Sequence, residues 1–315
     1  MKIRTYVALL CLLAACQQAA EQSSVSREPD SPSDTALVRN ESDAVNDTLG
    51  KPAFEEFSAF LASLPCDRPE QFPIVAQEFK TMLSEASPAL RERAFVQVWY
   101  FYFNLLEQLN VQFARQQSYS AEASSLPRRL ERLSGPSLRD SLQRQGFTVR
   151  SVEGAPYIAE YPDYLAQHFY ALLSPRMQRF LDQYQEEVRQ GFSEDATLVI
   201  SPRQVGERLV FWERFSEQHP DFPLRADIRL RTRSYQFALL EGTDNTPAFD
   251  YESGQLTLEF EQTYDYLIGK YPDTDLGRLL KAYQRTLLEN DWRKTEAIEQ
   301  FLRRMRDQGT GFPEA

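Results

Sequence analysis

The chain has 315 residues, with 46 acidic against 35 basic side chains and a formal net charge of −11. That balance argues against nucleic acid as a partner and against broad docking on an anionic lipid surface. Roughly 265 residues follow position 50, enough for one large or two modest folded domains.

The N-terminus opens with Lys2 and Arg4, runs apolar over 7–13, and reaches Leu13-Ala14-Ala15-Cys16. The apolar run is far shorter than the roughly 20 residues of a membrane helix, and the three-part form predicts a removable signal over 1–15. The Leu-Ala-Ala-Cys ending resembles the lipobox of bacterial lipoproteins. The resemblance implies cleavage before Cys16, a diacylglyceryl group on its sulfur and acylation of its new amine. Gln17 is not the aspartate that retains many such proteins at the inner membrane. The resemblance therefore implies a bacterial envelope protein, anchored in the outer membrane through Cys16, facing either side. Two or more acyl chains hold durably where one is marginal. Cys11 follows a leucine and fits less well. Cys66 is then left without a partner and is expected to be buried and inert.

Residues 16–50 read as a lipidated tether. Residues 17–50 contain no aromatic residue, and Glu21, Glu28, Asp30, Asp34, Glu41, Asp43 and Asp47 face only Arg27 and Arg39. Too little apolar surface is available to offset ordering entropy, which predicts a disordered coil spanning on the order of 30 Å.

The rest predicts a mainly α protein of stacked antiparallel helical hairpins: a helical domain over 51–200, then a helical-hairpin repeat region over 201–315. Its glycines are sparse and its apolar residues recur at helical spacing. Ser87-Pro88, Ser174-Pro175 and Ser201-Pro202 each place a capping hydroxyl before a proline suited to the first helical position. The segment 94–106 is apolar on most of its circumference and reads as a central helix. Residues 146–161 alternate Phe147 and Val149, shift at Val152, and turn at Glu153-Gly154-Ala155, which predicts a small β-hairpin. Residues 255–261 also alternate, but their continuation through Tyr264, Leu267 and Ile268 favours a helix.

His219-Pro220-Asp221 and Tyr271-Pro272-Asp273 each precede a later Tyr-Gln pair, at Tyr235 and Tyr283. Proline lacks an amide hydrogen and pushes the preceding residue out of helical geometry, so both stretches are expected to be corners between helices. Asp221, or Asp273 with Thr274, is expected to cap the next helix, and the aromatic before each proline to pack into the crease. Tyr161-Pro162-Asp163 is a weaker third echo. A helix ending in Tyr-Pro-Asp-Thr before a second helix resembles the hairpin units of tetratricopeptide-type envelope lipoproteins, over 202–307 at most. The period near 50 departs from the roughly 34 residues of that family. Gly277 and Ala282 stand where it uses small residues, while the first copy has Arg225 and Ser234.

Chemical motifs are few. His168 has Tyr164 and Leu172 at the positions four before and four after it, so it forms no zinc pattern, and His219 stands where Tyr271 stands in the other copy. Asp244, Asn245, Asp250 and Glu252 form an oxygen-rich loop that offers cation ligands without calcium-loop spacing, and an ordinary capped loop is the stronger reading. Glu153, Glu160, Asp163 and His168 are the candidates for acid/base work, on a glycan if they converge. No cofactor is expected. The leading expectation is a non-catalytic scaffold that binds another envelope protein or peptide between its hairpins. The alternatives are a glycan- or peptide-binding lipoprotein with exposed Trp99 and Trp212, and an envelope hydrolase or lyase using the hairpin acids.

Overall fold

A computed structural model of the chain describes residues 41–119, 136–152 and 155–307. The fold is mainly helical, with small two-stranded antiparallel sheets set between helices. The signal, Cys16 and the tether up to residue 40 lie outside the described residues.

Helix α1 (Glu41–Ser63) begins inside the segment expected to be tether. Gly50 supplies a reason: it is buried, and a Cβ there would lie 3.0 Å from Leu90 Cδ1 and 3.2 Å from Ala86. Composition weighs acids against apolar residues and is blind to one such close approach. With α2 (Gln71–Leu83), α1 packs on the central helix α3 (Pro88–Tyr119). The Ser87 hydroxyl accepts the Leu90 N–H at 3.3 Å, so α3 starts where the Ser-Pro pair predicted. Ala94, Phe95, Val98, Trp99, Tyr102 and Leu105 of α3 are all buried. Nearby Cys66 is free and half-buried, and burial with the neighbouring Asp67 raises its thiol above the usual range, away from the reactive thiolate.

Helix α4 (Pro136–Arg144) leads into β1 (Phe147–Val152) and β2 (Ala155–Glu160), which pair from Phe147↔Glu160 to Val152↔Ala155. The hairpin forms where alternation placed it. The Tyr102 hydroxyl donates to Gly146 O at 2.6 Å, and the Phe147 ring stacks on Tyr102 at 5.1 Å. Asn110 closes the outer edge of β2, donating to Ile158 O and accepting its N–H, both at 2.8 Å. Tyr161-Pro162 follows this strand and ends no helix, so the third echo is not a corner; Asp163 has φ 69° and opens the short α5 (Tyr164–Phe169).

The remaining helices are α6 (Pro175–Gln190), α7 (Pro202–Gln218), α8 (Arg225–Glu241), α9 (Leu258–Lys270), α10 (Asp275–Leu288) and α11 (Glu296–Asp307). Ser174 and Ser201 cap α6 and α7, the latter in a full capping box with Gln204. Both proline corners are present and share one backbone shape. His219 has φ −134°, ψ 65° and Tyr271 has φ −130°, ψ 52°; each N–H still reaches the carbonyl four residues back. Their caps differ. Thr274 Oγ1 accepts the Gly277 N–H at 3.0 Å, as expected. Asp221 caps nothing; α8 starts after Leu224 with no side-chain cap. Instead Asp221 receives Arg176 at 3.0 Å, and the same guanidinium grips Glu92 of α3. A charge bridge to another element has outcompeted the local cap.

At their other ends the helices join through two tiny hairpins, β3–β4 (Ser193–Glu194 with Thr197–Leu198) and β5–β6 (Gly242–Thr243 with Thr246–Pro247). They lean on each other: Asn245 N–H donates to Ala196 O at 2.9 Å and Leu198 N–H to Thr246 Oγ1 at 3.0 Å. Helix α9 starts three residues later than expected, because Gln255 and Leu256 are held in bridges to Arg293 and Phe249. One buried apolar cluster runs through both halves. The Phe180 ring touches Trp99 at 5.2 Å and Trp212 at 5.5 Å, so no gap in the described core marks the boundary expected at residue 200. Among the described residues no helix is long and apolar enough to cross a membrane.

Candidate functional site

The hairpin acids that the structure describes, Glu160 and Asp163, have different partners. Glu153 lies outside the described residues. Glu160 accepts the Tyr184 hydroxyl; burial raises its carboxyl, and Tyr184, Arg231 and Arg150 offset only part of that. Asp163 pairs with Arg189 on α6. His168 stacks on Tyr164 at 4.2 Å, and burial lowers its imidazole. It lines a cleft of about 570 Å³ with Asp140 and Tyr161, a cleft to which neither Glu160 nor Asp163 contributes. The paired carboxylates that glycan hydrolysis requires are therefore not assembled among the described residues. Trp99 and Trp212, the rings offered for sugar stacking, are 2 % and 0 % exposed.

The 244–252 loop is held by its own bonds. Asp250 Oδ1 accepts the Ser253 N–H at 2.8 Å and its hydroxyl at 2.7 Å, which hold that carboxyl below its usual range. Asn245 Nδ2 donates to Asp195 O at 2.6 Å, and Asp244 O accepts from Tyr251. Glu252 is exposed beside them. This is a capped loop.

Three carboxylates meet elsewhere: oxygens of Glu213 and Glu217 on α7 and Asp275 on α10 lie within 4.8 Å of one another. Glu213 accepts the Leu276 N–H at 3.2 Å, capping α10 from a different helix. Burial and the Asp275 charge push its carboxyl up to about 7. An unfolded glutamate titrates near about 4.3, so across the window up to 7 the folded chain keeps a proton that the unfolded chain has released. Glu213 therefore makes the fold more stable at the acid end and less stable as pH rises through 7, by about 4 kcal/mol at most. Urea melts should show that the wild-type protein loses more stability between pH 5 and pH 7.5 than Glu213→Gln does. Equal losses would remove Glu213 as the cause.

A groove of about 450 Å³ lies between α6 and α7, and Tyr271 forms part of its lining. The two helices run antiparallel: Arg179, early in α6, donates to Gln218 at the end of α7, and Arg208, early in α7, donates to Gln190 at the end of α6, both at 2.8 Å. One wall is Arg179, Gln183, Glu186 and Gln190; the other is Gln204, Glu207, Arg208, Phe211 and Arg214. Each set follows helical spacing. The second proline corner supplies Tyr271, so the ring expected in the crease lines the groove. His219, its counterpart, packs on Phe215 at 4.8 Å.

The groove's electrostatics are uneven. Among the described residues, no carboxylate oxygen lies within 4.0 Å of Arg179, Arg208 or Arg214. The Arg179 guanidinium lies over Phe211 at 5.4 Å and that of Arg214 over Tyr271 at 5.3 Å. Arg208 is 5 % exposed, holding Gly191 O at 2.8 Å. The two acids of the lining already have cations. Arg189 holds Glu186 below the usual carboxylate range; burial works to raise Glu207, but Lys270 and Tyr266, each donating at 2.7 Å, bring it lower.

Behind the groove lies a buried polar knot. Glu187 Oε1 accepts Trp212 Nε1–H at 2.8 Å and Gln183 Nε2–H at 2.7 Å; Oε2 accepts the Tyr235 hydroxyl at 2.7 Å and Arg231 at 3.0 Å. All its bonds are internal, and it ties α6, α7 and α8 together.

Comparison of the chain with protein-family models, with curated proteins and with solved structures returned no match.

Proposed function

We propose that the protein is a lipid-anchored component of the bacterial envelope, held in the outer membrane through acylated Cys16, whose helical hairpins form a scaffold for a peptide or protein segment. The observation that carries the binding role is the groove between α6, α7 and Tyr271, with three guanidiniums that have no carboxylate in ion-pair contact among the described residues. Glu160 bound to Tyr184 and Asp163 paired with Arg189 favour a role without catalysis.

Two measurements test this reading. Cys16→Ser should move the protein from the membrane to the soluble fraction and abolish incorporation of labelled palmitate; retention of both would refute the anchor. A photo-crosslinking residue at Gln204, in the groove wall, should capture a polypeptide in intact cells that the same residue at Glu259 on α9 does not. Identical products from the two positions would count against the groove.

A further inference from the structure

We propose that the groove selects an extended, acidic polypeptide segment, its carboxylates held by Arg179 over Phe211, by Arg214 over Tyr271 and by Arg208 between the helices. This rests on the scaffold reading above and specifies its ligand.

Charge comes first. A buried guanidinium without a carboxylate in contact is costly to maintain; Arg208 donates only to the Gly191 carbonyl and the Gln190 amide, and Glu186 acts on it through space alone. Arg179 and Arg214 lie over aromatic rings, an arrangement that leaves a planar donor fork available to a carboxylate. Three such groups in one groove, on a chain of net charge −11, mark a local reversal of sign. Glu186 and Glu207 are already bound to Arg189 and Lys270, and the Lys270 ammonium also lies 5.1 Å from the Tyr271 ring, so the charge beside Tyr271 is cationic.

Shape and polar groups favour a polypeptide. From Arg179 to Gln190 the α6 wall is about 16 Å long, the span of about five extended residues. Gln183 Oε1 and Gln204 Nε2 have no hydrogen-bond partner among the described residues, so one wall offers an acceptor and the other a donor, as a peptide bond requires. A uronic-acid glycan or a single-stranded nucleic acid would seek an open aromatic face. Phe211 and Tyr271 have guanidiniums over them, and Trp99 and Trp212 are in the core.

The test uses the full chain in detergent and fluorescence anisotropy. The probe is a labelled peptide of roughly twelve residues alternating Glu and Ser, compared with its Gln-Ser and Lys-Ser counterparts. The Glu-Ser peptide should bind about tenfold tighter than Gln-Ser, and the advantage should fade as salt rises from about 0.05 to about 0.5 M. Arg179→Gln with Arg214→Gln should remove that advantage at unchanged melting temperature, and Arg233→Gln, outside the groove, should leave it intact. Equal binding of the Glu and Gln peptides would overturn the acidic selectivity and leave the scaffold standing. Binding of no peptide would overturn both. Displacement of the Glu peptide by oligogalacturonate or polyphosphate at lower concentration than by unlabelled peptide would assign the groove to another anion and overturn the proposal.

Discussion

Replacing Glu187 with alanine should lower the folding stability by about 3–5 kcal/mol, the loss typical of removing one partner from a buried charge pair. The side chain is 1 % exposed and each oxygen accepts two bonds. Removing it leaves the Trp212 N–H without an acceptor in the core and strands the Arg231 guanidinium, which lies over the Tyr184 ring at 4.8 Å. Equilibrium urea unfolding measures the effect, which should appear as a lower midpoint at unchanged slope. Glu187→Gln should recover little. Its amide presents one acceptor and one donor to four groups that all donate. Glu187→Met combined with Arg231→Met should destabilise less than Glu187→Ala alone, because neither member of this pair is then left without its partner, and Glu160 keeps its Tyr184 bond. A single-variant loss below about 1 kcal/mol would mean that water replaces the carboxylate, and the knot would not be what joins α6, α7 and α8.

Much of this architecture was legible because its signals are local. Ser-Pro pairs state a helix start within two residues, and three of them mark α3, α6 and α7. Proline before an aspartate ended α7 and α9 with the same backbone geometry. What escaped depends on partners distant in sequence. Asp221 looked like a cap, and only the fold brings Arg176 to it, 45 residues away. Strands β3 to β6 are two residues each, too short to alternate, and they exist because Asn245 and Thr246 lean on a turn some fifty residues earlier.

The groove was hidden for a related reason. Arg179, Gln183, Glu186 and Gln190 read in sequence as the solvated face of an amphipathic helix, which is what such a stripe usually is. Its meaning comes from a second stripe on α7 and from Tyr271, supplied by a third element. The sequence pointed to Tyr271 as a packing ring in a crease and contained no sign that the crease was open. The hairpin acids misled in the opposite direction. They are close in sequence, but β2 and α5 send Glu160 to Tyr184 and Asp163 to Arg189.

Gly277→Ala should destabilise the protein by about 3 kcal/mol, the upper part of the range for overpacking. A Cβ at this position would lie 2.0 Å from Tyr271 O and 3.0 Å from Tyr271 C, and backbone cannot step aside as a side chain can. The collision is set by the corner: α10 begins only four residues after Tyr271, so its first turn lies against the chain that has just reversed. In the first copy α8 begins six residues after His219, and Arg225 is accommodated at its start. Gly269→Ala, two residues before the corner, meets nothing within 4 Å and should instead stabilise by about 0.5–1 kcal/mol through helix propensity. Opposite signs from the same substitution on either side of one proline separate corner geometry from any general intolerance of α9 and α10. Gly277→Ala should also weaken peptide binding, since moving the Tyr271 carbonyl moves the ring that supports Arg214. If both variants change stability by similar amounts in the same direction, the tight corner is not what positions Tyr271 in the groove lining.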